Sequence, residues 1–155
     1  MSFERGDHMK MATKRVIRFG LLFAWLGLTI FLSEQTGVES ARLSKKIAEW
    51  IIKFLHLTIA TGRVDNFLRE LAHFGIHFVL AVLAYRAFIT LFREKPSILI
   101  SLLFCAAIAI FDELSQHGIA GRAREVNDLL LNLFGISLGI NVSCLISKPL
   151  IRPPW

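Results

Sequence analysis

Long runs of apolar residues alternate with short polar segments along most of the chain. A run of about 17–25 residues is needed to cross the hydrocarbon core of a bilayer as a helix, and several of these runs approach or reach that length. A surface helix of a soluble protein would instead alternate apolar and polar faces. The pattern predicts an all-α membrane protein with about four transmembrane helices in a single domain, residues 1–155. The predicted spans lie at about 16–32, 72–92, 97–111 and 129–146.

The first apolar run follows a basic leader that contains Lys10, Lys14 and Arg15. A charged segment before an apolar run is also typical of a secretory signal peptide. Ser33 and Glu34 follow this run where a cleavage site would need small residues, so we expect a retained membrane anchor.

The long connection after the first span contains an amphipathic segment at about 40–60. We expect this helix to lie in the membrane interface, with its apolar side toward the acyl chains and its basic side toward lipid phosphates. Packing against the other helices as structural padding is the alternative. Gly62 and Asp65 then predict a turn before the second span. The apolar face would carry Leu43, Ile47, Trp50, Ile51 and Phe54, and the polar face Lys45, Lys46, Glu49, Lys53 and His56.

The net charge of +6 does not require a nucleic-acid partner. Basic residues that flank membrane helices fix topology and contact anionic headgroups, and no soluble basic patch with interleaved aromatic residues is present. Four spans put both termini on the same side, where basic residues are slightly more frequent, so we expect both termini to be cytoplasmic. Cys105 and Cys144 lie in different apolar runs and are expected to be buried small hydrophobic residues.

Ionisable and amide side chains cluster where three predicted spans begin or end. Because consecutive spans alternate in direction, these groups are expected at one membrane side, the outer side on the chosen topology. Such groups at membrane depth indicate a functional site, whereas a hydrogen-bonded clasp that includes Arg122 and Arg124 is the structural alternative. The residues are His73 in the second span, Asp112, Glu113 and Gln116 after the third, and Asp128 and Asn132 in the fourth.

Metal binding stays open at this cluster, and no metal or cofactor is assigned. His73 and His77 have the spacing of zinc ligands on a helix, but no third ligand is assured. Asp112, Glu113 and Asp128 offer oxygen ligands for a divalent ion. The chain lacks the motifs for nucleotide binding, serine hydrolysis, zinc proteolysis and thiol redox chemistry.

The polar cluster resembles the VanZ-like family of small bacterial membrane proteins. That family typically reads R-K-x-x-H-F near the start of one span, then D-E-x-x-Q, an arginine in a short loop, and D-x-x-x-N-x-x-G-x-x-x-G in the last span. The corresponding stretches here begin at Arg69 and Asp112, continue with Arg122, and run from Asp128 through Asn132, Gly135 and Gly139. The resemblance covers residues from about 67 to 146.

Two positions depart from the family pattern. Glu70 stands where lysine is usual, which removes a cation and adds a carboxylate at the outer mouth of the cluster. His77 stands where an aromatic residue is usual. These changes indicate either that this protein binds a different partner or that the motif beginning at Arg69 has changed its role.

The resemblance implies a multi-pass protein of the bacterial cytoplasmic (inner) membrane with a role in the cell envelope. The family's namesake is linked to teicoplanin resistance, a form of glycopeptide antibiotic resistance. The leading hypothesis is binding of, or action on, an envelope lipid or lipid-linked precursor at the outer leaflet. The alternatives are a non-enzymatic accessory or assembly subunit of a larger membrane complex and, less simply for four spans, a transporter. Membrane lipids and other membrane subunits are thus the expected partners, and nucleic acid is not.

An enzymatic version of this hypothesis assigns a role to each polar residue. Glu113 or Asp112 would be a general base with His73 as its acid partner. Arg122 would hold a phosphate, and Asp128 with Asn132 would orient the acid–base pair. The candidate catalytic residues are therefore His73, Asp112, Glu113 and Asp128, the candidate binding residues are Gln116, Arg122 and Asn132, and Gly135 and Gly139 are assigned to helix packing.

Overall fold

Each predicted apolar run forms a helix in the computed structural model, which describes residues 2–35, 37–56, 58, 60–116 and 126–147. These residues form five helices and no strand. The all-α prediction is therefore confirmed. The helices are α1 (Ser2–Ser33), α2 (Gly37–Phe54), α3 (Thr61–Phe88), α4 (Glu94–Gln116) and α5 (Val126–Ser147).

Four of these helices contain segments long and apolar enough to cross a membrane. Large apolar side chains such as Phe23, Phe31, Leu103, Phe134 and Leu145 remain exposed on their outer surfaces. Apolar surface of this extent is unfavourable in water but suits contact with lipid chains. The chain is thus a multi-pass membrane protein. The four segments are Met11–Ser33, Thr61–Phe88, Glu94–Ser115 and Asn127–Ser147.

The second span differs most from its predicted boundaries. Helix α3 begins at Thr61 and ends at Phe88, whereas the prediction was about 72–92. Gly62 and Asp65 therefore lie inside a helix, and the predicted turn is wrong. At about 1.5 Å per residue, α3 is roughly 42 Å long and exceeds the roughly 30 Å hydrocarbon core, so its polar first turns can extend into the headgroup region.

Helix α2 corresponds to the predicted amphipathic helix but is shorter than expected. It ends at Phe54, and His56 just beyond it has a positive φ of 50°, a conformation that interrupts helical hydrogen bonding. Its Ala48 is fully buried and the helix packs against α3. Trp50 and Phe54 stack on each other at 5.3 Å between ring centroids, yet both stay exposed.

Helix α3 is the centre of the bundle, since it packs against all four other helices. Three of its six buried residues are alanines, which allows the neighbours to approach closely. The buried residues are His77, Leu80, Ala81, Ala84, Tyr85 and Ala87.

Side chains of α1 hold it antiparallel to α3 through hydrogen bonds to backbone carbonyls. The Trp25 indole N–H donates to the Ile76 carbonyl at 3.0 Å, and the Arg18 guanidinium donates to the Arg86 carbonyl at 3.0 Å. Because residue numbers rise along α1 as they fall along α3, the C-terminal end of α1 lies beside the middle of α3. That end of α1 thereby reaches the level of His73.

Replacing Trp25 by phenylalanine is expected to destabilise the bundle slightly. The change removes an interhelical hydrogen bond, worth about 0.6 kcal/mol on average in membranes and roughly 2 at most. Thermal unfolding of the detergent-solubilised protein measures the effect. Trp50→Phe is the matched control, because Trp50 is exposed and should leave the melting temperature unchanged. Equal melting temperatures for both variants would contradict a stabilising role of the Trp25 bond.

Candidate functional site

The G-x-x-x-G sequence of α5 lies directly against the backbone of α3. A Cβ atom on Gly135 would be 2.5 Å from the Phe74 carbonyl oxygen, and one on Gly139 would be 2.5 Å from the Phe78 carbonyl oxygen. Both distances are shorter than any real Cβ contact, so only glycine permits this approach. The contacts advance along both helices in the same order, which makes α3 and α5 parallel neighbours.

This close approach brings the polar residues of three helices together. The His73 Nε2 atom on α3 lies 3.5 Å from an Asp128 carboxylate oxygen on α5. Glu113 on α4 completes the group, because one ligating atom from each residue lies within 4.8 Å of the others. Glu113 is 3% exposed and Asp128 9%, so both carboxylates are almost completely buried. We call these three residues the His–Glu–Asp cluster.

Two further buried polar side chains lie next to the cluster in sequence. Asp112 is 7% exposed, and Asn132, one turn after Asp128, is fully buried. Neither Asn132 amide atom, nor Asp112 Oδ1, makes a hydrogen bond to any residue that the structure describes. A buried polar group without a partner costs about 1–3 kcal/mol, so folds keep such groups mainly where they contact water, an ion or a ligand.

His77 lies one turn beyond His73 and is 1% exposed. Its Nδ1 atom is 3.2 Å from the His73 carbonyl oxygen. Since a carbonyl can only accept, Nδ1 must carry the hydrogen. In the neutral ring Nε2 therefore holds a lone pair, and this atom has no hydrogen-bond partner among the described residues.

A cavity of about 280 Å³ opens beside the cluster. Residues of α1, α2, α3 and α4 and of the turn after α1 line it. Polar and apolar residues both line it, and α3 contributes residues of both kinds. The polar lining residues include Arg69, His73, His77 and Asp112, together with Thr29 and Ser33; the apolar ones include Leu43, Ile47, Leu68 and Ile76.

Four residues were predicted to be catalytic. The structure brings three of them, His73, Glu113 and Asp128, together so that one ligand atom of each lies within 4.8 Å of the others. Asp112 instead lines the cavity with His73. Asn132 is buried on α5, and the two glycines pack as predicted. Arg122 and Arg124 lie outside the described residues, as does the side chain of Gln116.

The sequence interpretation missed the contribution of the first two helices. Thr29 and Ser33 of α1 line the cavity beside Asp112, and Leu43 and Ile47 of α2 contribute to its apolar lining. The sequence did indicate this contribution. Thr29 and Ser33 are four residues apart at the end of the first span, so their hydroxyl groups share a helix face at the same membrane side as the cluster.

The arrangement has three chemical capabilities. The Arg69 guanidinium can bind an anion, His73 and Asp128 can exchange a proton with a bound group, and the clustered imidazole and carboxylates can ligate a cation. The apolar lining residues, Leu43 and Ile47 among them, can contact hydrocarbon.

The sequence profile of the VanZ/LLP1 family matches residues 19–147. The match extends from the first span to the end of α5 and includes the cluster, the cavity and both packing glycines. Neither a curated protein nor a solved structure matches the chain. The chain therefore belongs to the VanZ/LLP1 family and is a VanZ-like multi-pass membrane protein.

Proposed function

We propose that this protein binds, or acts on, a lipid of the bacterial cell envelope whose headgroup is anionic, such as a lipid-linked precursor. One observation carries the proposal: the cavity is lined both by apolar residues and by a guanidinium and two imidazoles, those of Arg69, His73 and His77. A guanidinium is well suited to phosphate, because its donors match the oxygens in pairs. Hydrocarbon next to the headgroup would contact Leu43 and Ile47.

The size of the cavity suits a lipid headgroup. Its volume of about 280 Å³ is just below the usual range for small-molecule sites, about 300–1,000 Å³. A headgroup with its first methylene groups would occupy it, while the remaining chain would stay in the bilayer.

Helix α2 supports the same proposal through its apolar face. Leu43 and Ile47 line the cavity, and Trp50 and Phe54 are exposed beside them on the same side of the helix. Exposed aromatic residues of this kind are typical of the membrane interface. On this proposal α2 lies in the interface and forms one side of the path by which a lipid enters.

The proposed chemistry uses the His73–Asp128 pair. Asp128 orients the imidazole, so that His73 can donate or accept a proton at the headgroup bound beside Arg69. With both termini cytoplasmic in the inner membrane, the cavity opens at the outer leaflet. Altered handling of a lipid-linked precursor there would link this protein to glycopeptide (teicoplanin-type) tolerance.

Native mass spectrometry of the protein released from vesicles tests lipid binding. The vesicles contain phosphatidylglycerol, a polyprenyl phosphate and uncharged lipid in equal amounts. The wild type is expected to retain anionic lipid, and Ile47→Trp, which fills the cavity, should lower retention at least about ten-fold, or ~1.4 kcal/mol. Leu103→Trp is the matched control, since Leu103 is exposed on α4 and does not line the cavity.

Equal retention by wild type and Ile47→Trp would overturn the proposal. Fixed-stoichiometry release with other membrane proteins, in place of lipid, would instead favour the accessory-subunit alternative. The G-x-x-x-G sequence of α5 does not favour that alternative, because Gly135 and Gly139 are covered by α3 of the same chain.

A further inference from the structure

The His–Glu–Asp cluster has the composition of a metal centre. Its three residues come from three different helices and are distant in sequence, so that only the folded bundle brings them together. One imidazole nitrogen and two carboxylate oxygens are a common ligand set for divalent transition metals. The sequence suggested two other ligand sets, neither of which is this one. The first paired His73 with His77, and the second used the carboxylates of Asp112, Glu113 and Asp128 without a histidine.

The distances in the cluster fit coordination of one ion. Ligand atoms about 2.0–2.1 Å from a metal lie roughly 2.8–3.4 Å apart at cis-octahedral or tetrahedral angles. The 3.5 Å separation between His73 Nε2 and the Asp128 oxygen is just above that range, so a small contraction would suffice. A carboxylate oxygen of Glu113 lies within 4.8 Å of both atoms, and small rotations of the Glu113 side chain can shorten these two distances.

Charge gives a second reason for a cation at this position. Glu113 and Asp128 are nearly completely buried within 4.8 Å of each other, and Asp112 is buried in the adjacent position of α4. Like charges at such separations repel strongly in a low-dielectric region. A protonated His73 supplies one positive charge, whereas a divalent ion supplies two and leaves the imidazole neutral as a ligand.

The orphaned polar atoms beside the cluster give an independent third reason. Asn132 is fully buried, and neither of its amide atoms has a partner among the described residues. It lies four residues after Asp128, on the same face of α5, and side chains on a helix lean toward its N-terminus. Its amide therefore lies on the side of α5 that carries Asp128, where it can contact a water molecule or anion bound to an ion.

We propose that His73, Glu113 and Asp128 bind one divalent cation of the Mn²⁺–Zn²⁺ class, with Asn132 contacting its outer ligands. Mixed imidazole and carboxylate ligands favour these ions over Ca²⁺ and Mg²⁺, which take mainly oxygen ligands. Three protein ligands leave open positions on the ion. Because His73 also lines the cavity, an anionic oxygen in the cavity can occupy one of them. The ion would occupy His73 Nε2 and the Asp128 oxygen, so in the ion-bound protein it replaces proton transfer by His73 at the headgroup. The inference goes beyond lipid binding and is tested with the ion alone.

Binding of Mn²⁺ to chelator-treated protein in detergent, followed by electron paramagnetic resonance, tests the proposal. The wild type is expected to bind one equivalent. Asp128→Asn and Glu113→Gln should each weaken binding at least about 100-fold, because loss of a direct ligand exceeds the 10–100-fold effect of an outer-shell change. Glu94→Gln is the matched control, since this exposed carboxylate lies at the opposite end of α4 and should bind like wild type.

A thermal-unfolding series covers the case in which a variant folds poorly. Mn²⁺ or Zn²⁺ should raise the melting temperature of the wild type and of Glu94→Gln in a concentration-dependent way, but not that of His73→Gln. Absence of stoichiometric binding of both ions to the wild type overturns the proposal, and so does equal binding to Asp128→Asn. Lipid retention does not enter either outcome, so failure of the cation site and failure of lipid binding are distinguishable.

Discussion

Replacing Gly135 by alanine is expected to lower the free energy of unfolding by about 1–3 kcal/mol, the usual cost of overpacking a well-packed contact. The added Cβ would lie 2.5 Å from the Phe74 carbonyl oxygen and 3.3 Å from the Phe78 amide nitrogen. All its near neighbours are backbone atoms of α3, so no side chain can move aside and the two helices must separate. A loss of this size corresponds to roughly 2–12 °C in melting temperature.

Gly27→Ala is the matched control for this experiment. A Cβ on Gly27 of α1 would have no neighbouring atom within 4 Å. Alanine is about 1 kcal/mol better than glycine inside a helix, so the control should melt at the same temperature or higher. The change in melting temperature is therefore expected to be negative for Gly135→Ala and zero or positive for Gly27→Ala. A Gly135→Ala variant as stable as Gly27→Ala would contradict the close contact between α3 and α5.

The second prediction is that Asn132→Leu stabilises the fold while it weakens the site. Leucine has the same number of side-chain heavy atoms and the same branching at Cγ, and the change removes a fully buried amide whose atoms have no hydrogen-bond partner among the described residues. In ion-free protein this should raise the free energy of unfolding by about 1–3 kcal/mol. Mn²⁺ affinity should fall by about 10–100-fold, the range for outer-shell changes.

Asn141→Leu separates this effect from a general gain in hydrophobicity. Asn141 is exposed on the same helix, where its amide N–H donates to the Ser137 carbonyl at 2.8 Å. Its replacement should leave Mn²⁺ affinity unchanged. If Asn132 instead belonged to a structural clasp, Asn132→Leu would lower the melting temperature, and that result would contradict the prediction. Both quantities can be measured on the same preparations.

The spans and the shared location of the polar residues could be predicted because both depend on properties that are local in sequence. Apolar run length sets the number of crossings, and alternation of direction assigns His73, Glu113 and Asp128 to the same end of the bundle. The packing role of Gly135 and Gly139 could be predicted for a similar reason, since two small residues four apart form one stripe on a helix.

Helix rotation could not be predicted, and it decides the roles of Asp112 and Glu113. Adjacent residues on a helix project about 100° apart, so only one of the pair can face the cluster. The structure places Glu113 there and turns Asp112 toward the cavity. Which face of α4 meets α5 depends on packing with α3, which spacing within α4 does not reveal.

The early start of α3 also depends on tertiary contact. Gly62 and Asp65 favour a turn by local preference, yet both lie within the helix. The first turns of α3 lie beyond a typical membrane crossing, and α2 packs against α3. This packing can outweigh the weak local preference, as tertiary context commonly does. The cavity was unpredictable for the same reason, because two of its walls belong to α1 and α2.

The parallel pairing of α3 with α5 imposes an order on biosynthesis. About sixty residues separate the end of α3 from the end of α5, which at about 5–20 residues per second takes roughly 3–12 s to translate. During that interval the backbone groove at Phe74 and Phe78 faces lipid or the insertion machinery instead of the glycines that later cover it. A nascent chain that stops before α5 therefore leaves this backbone surface of α3 uncovered, and only a helix with small residues at the contact can approach it as closely as α5 does.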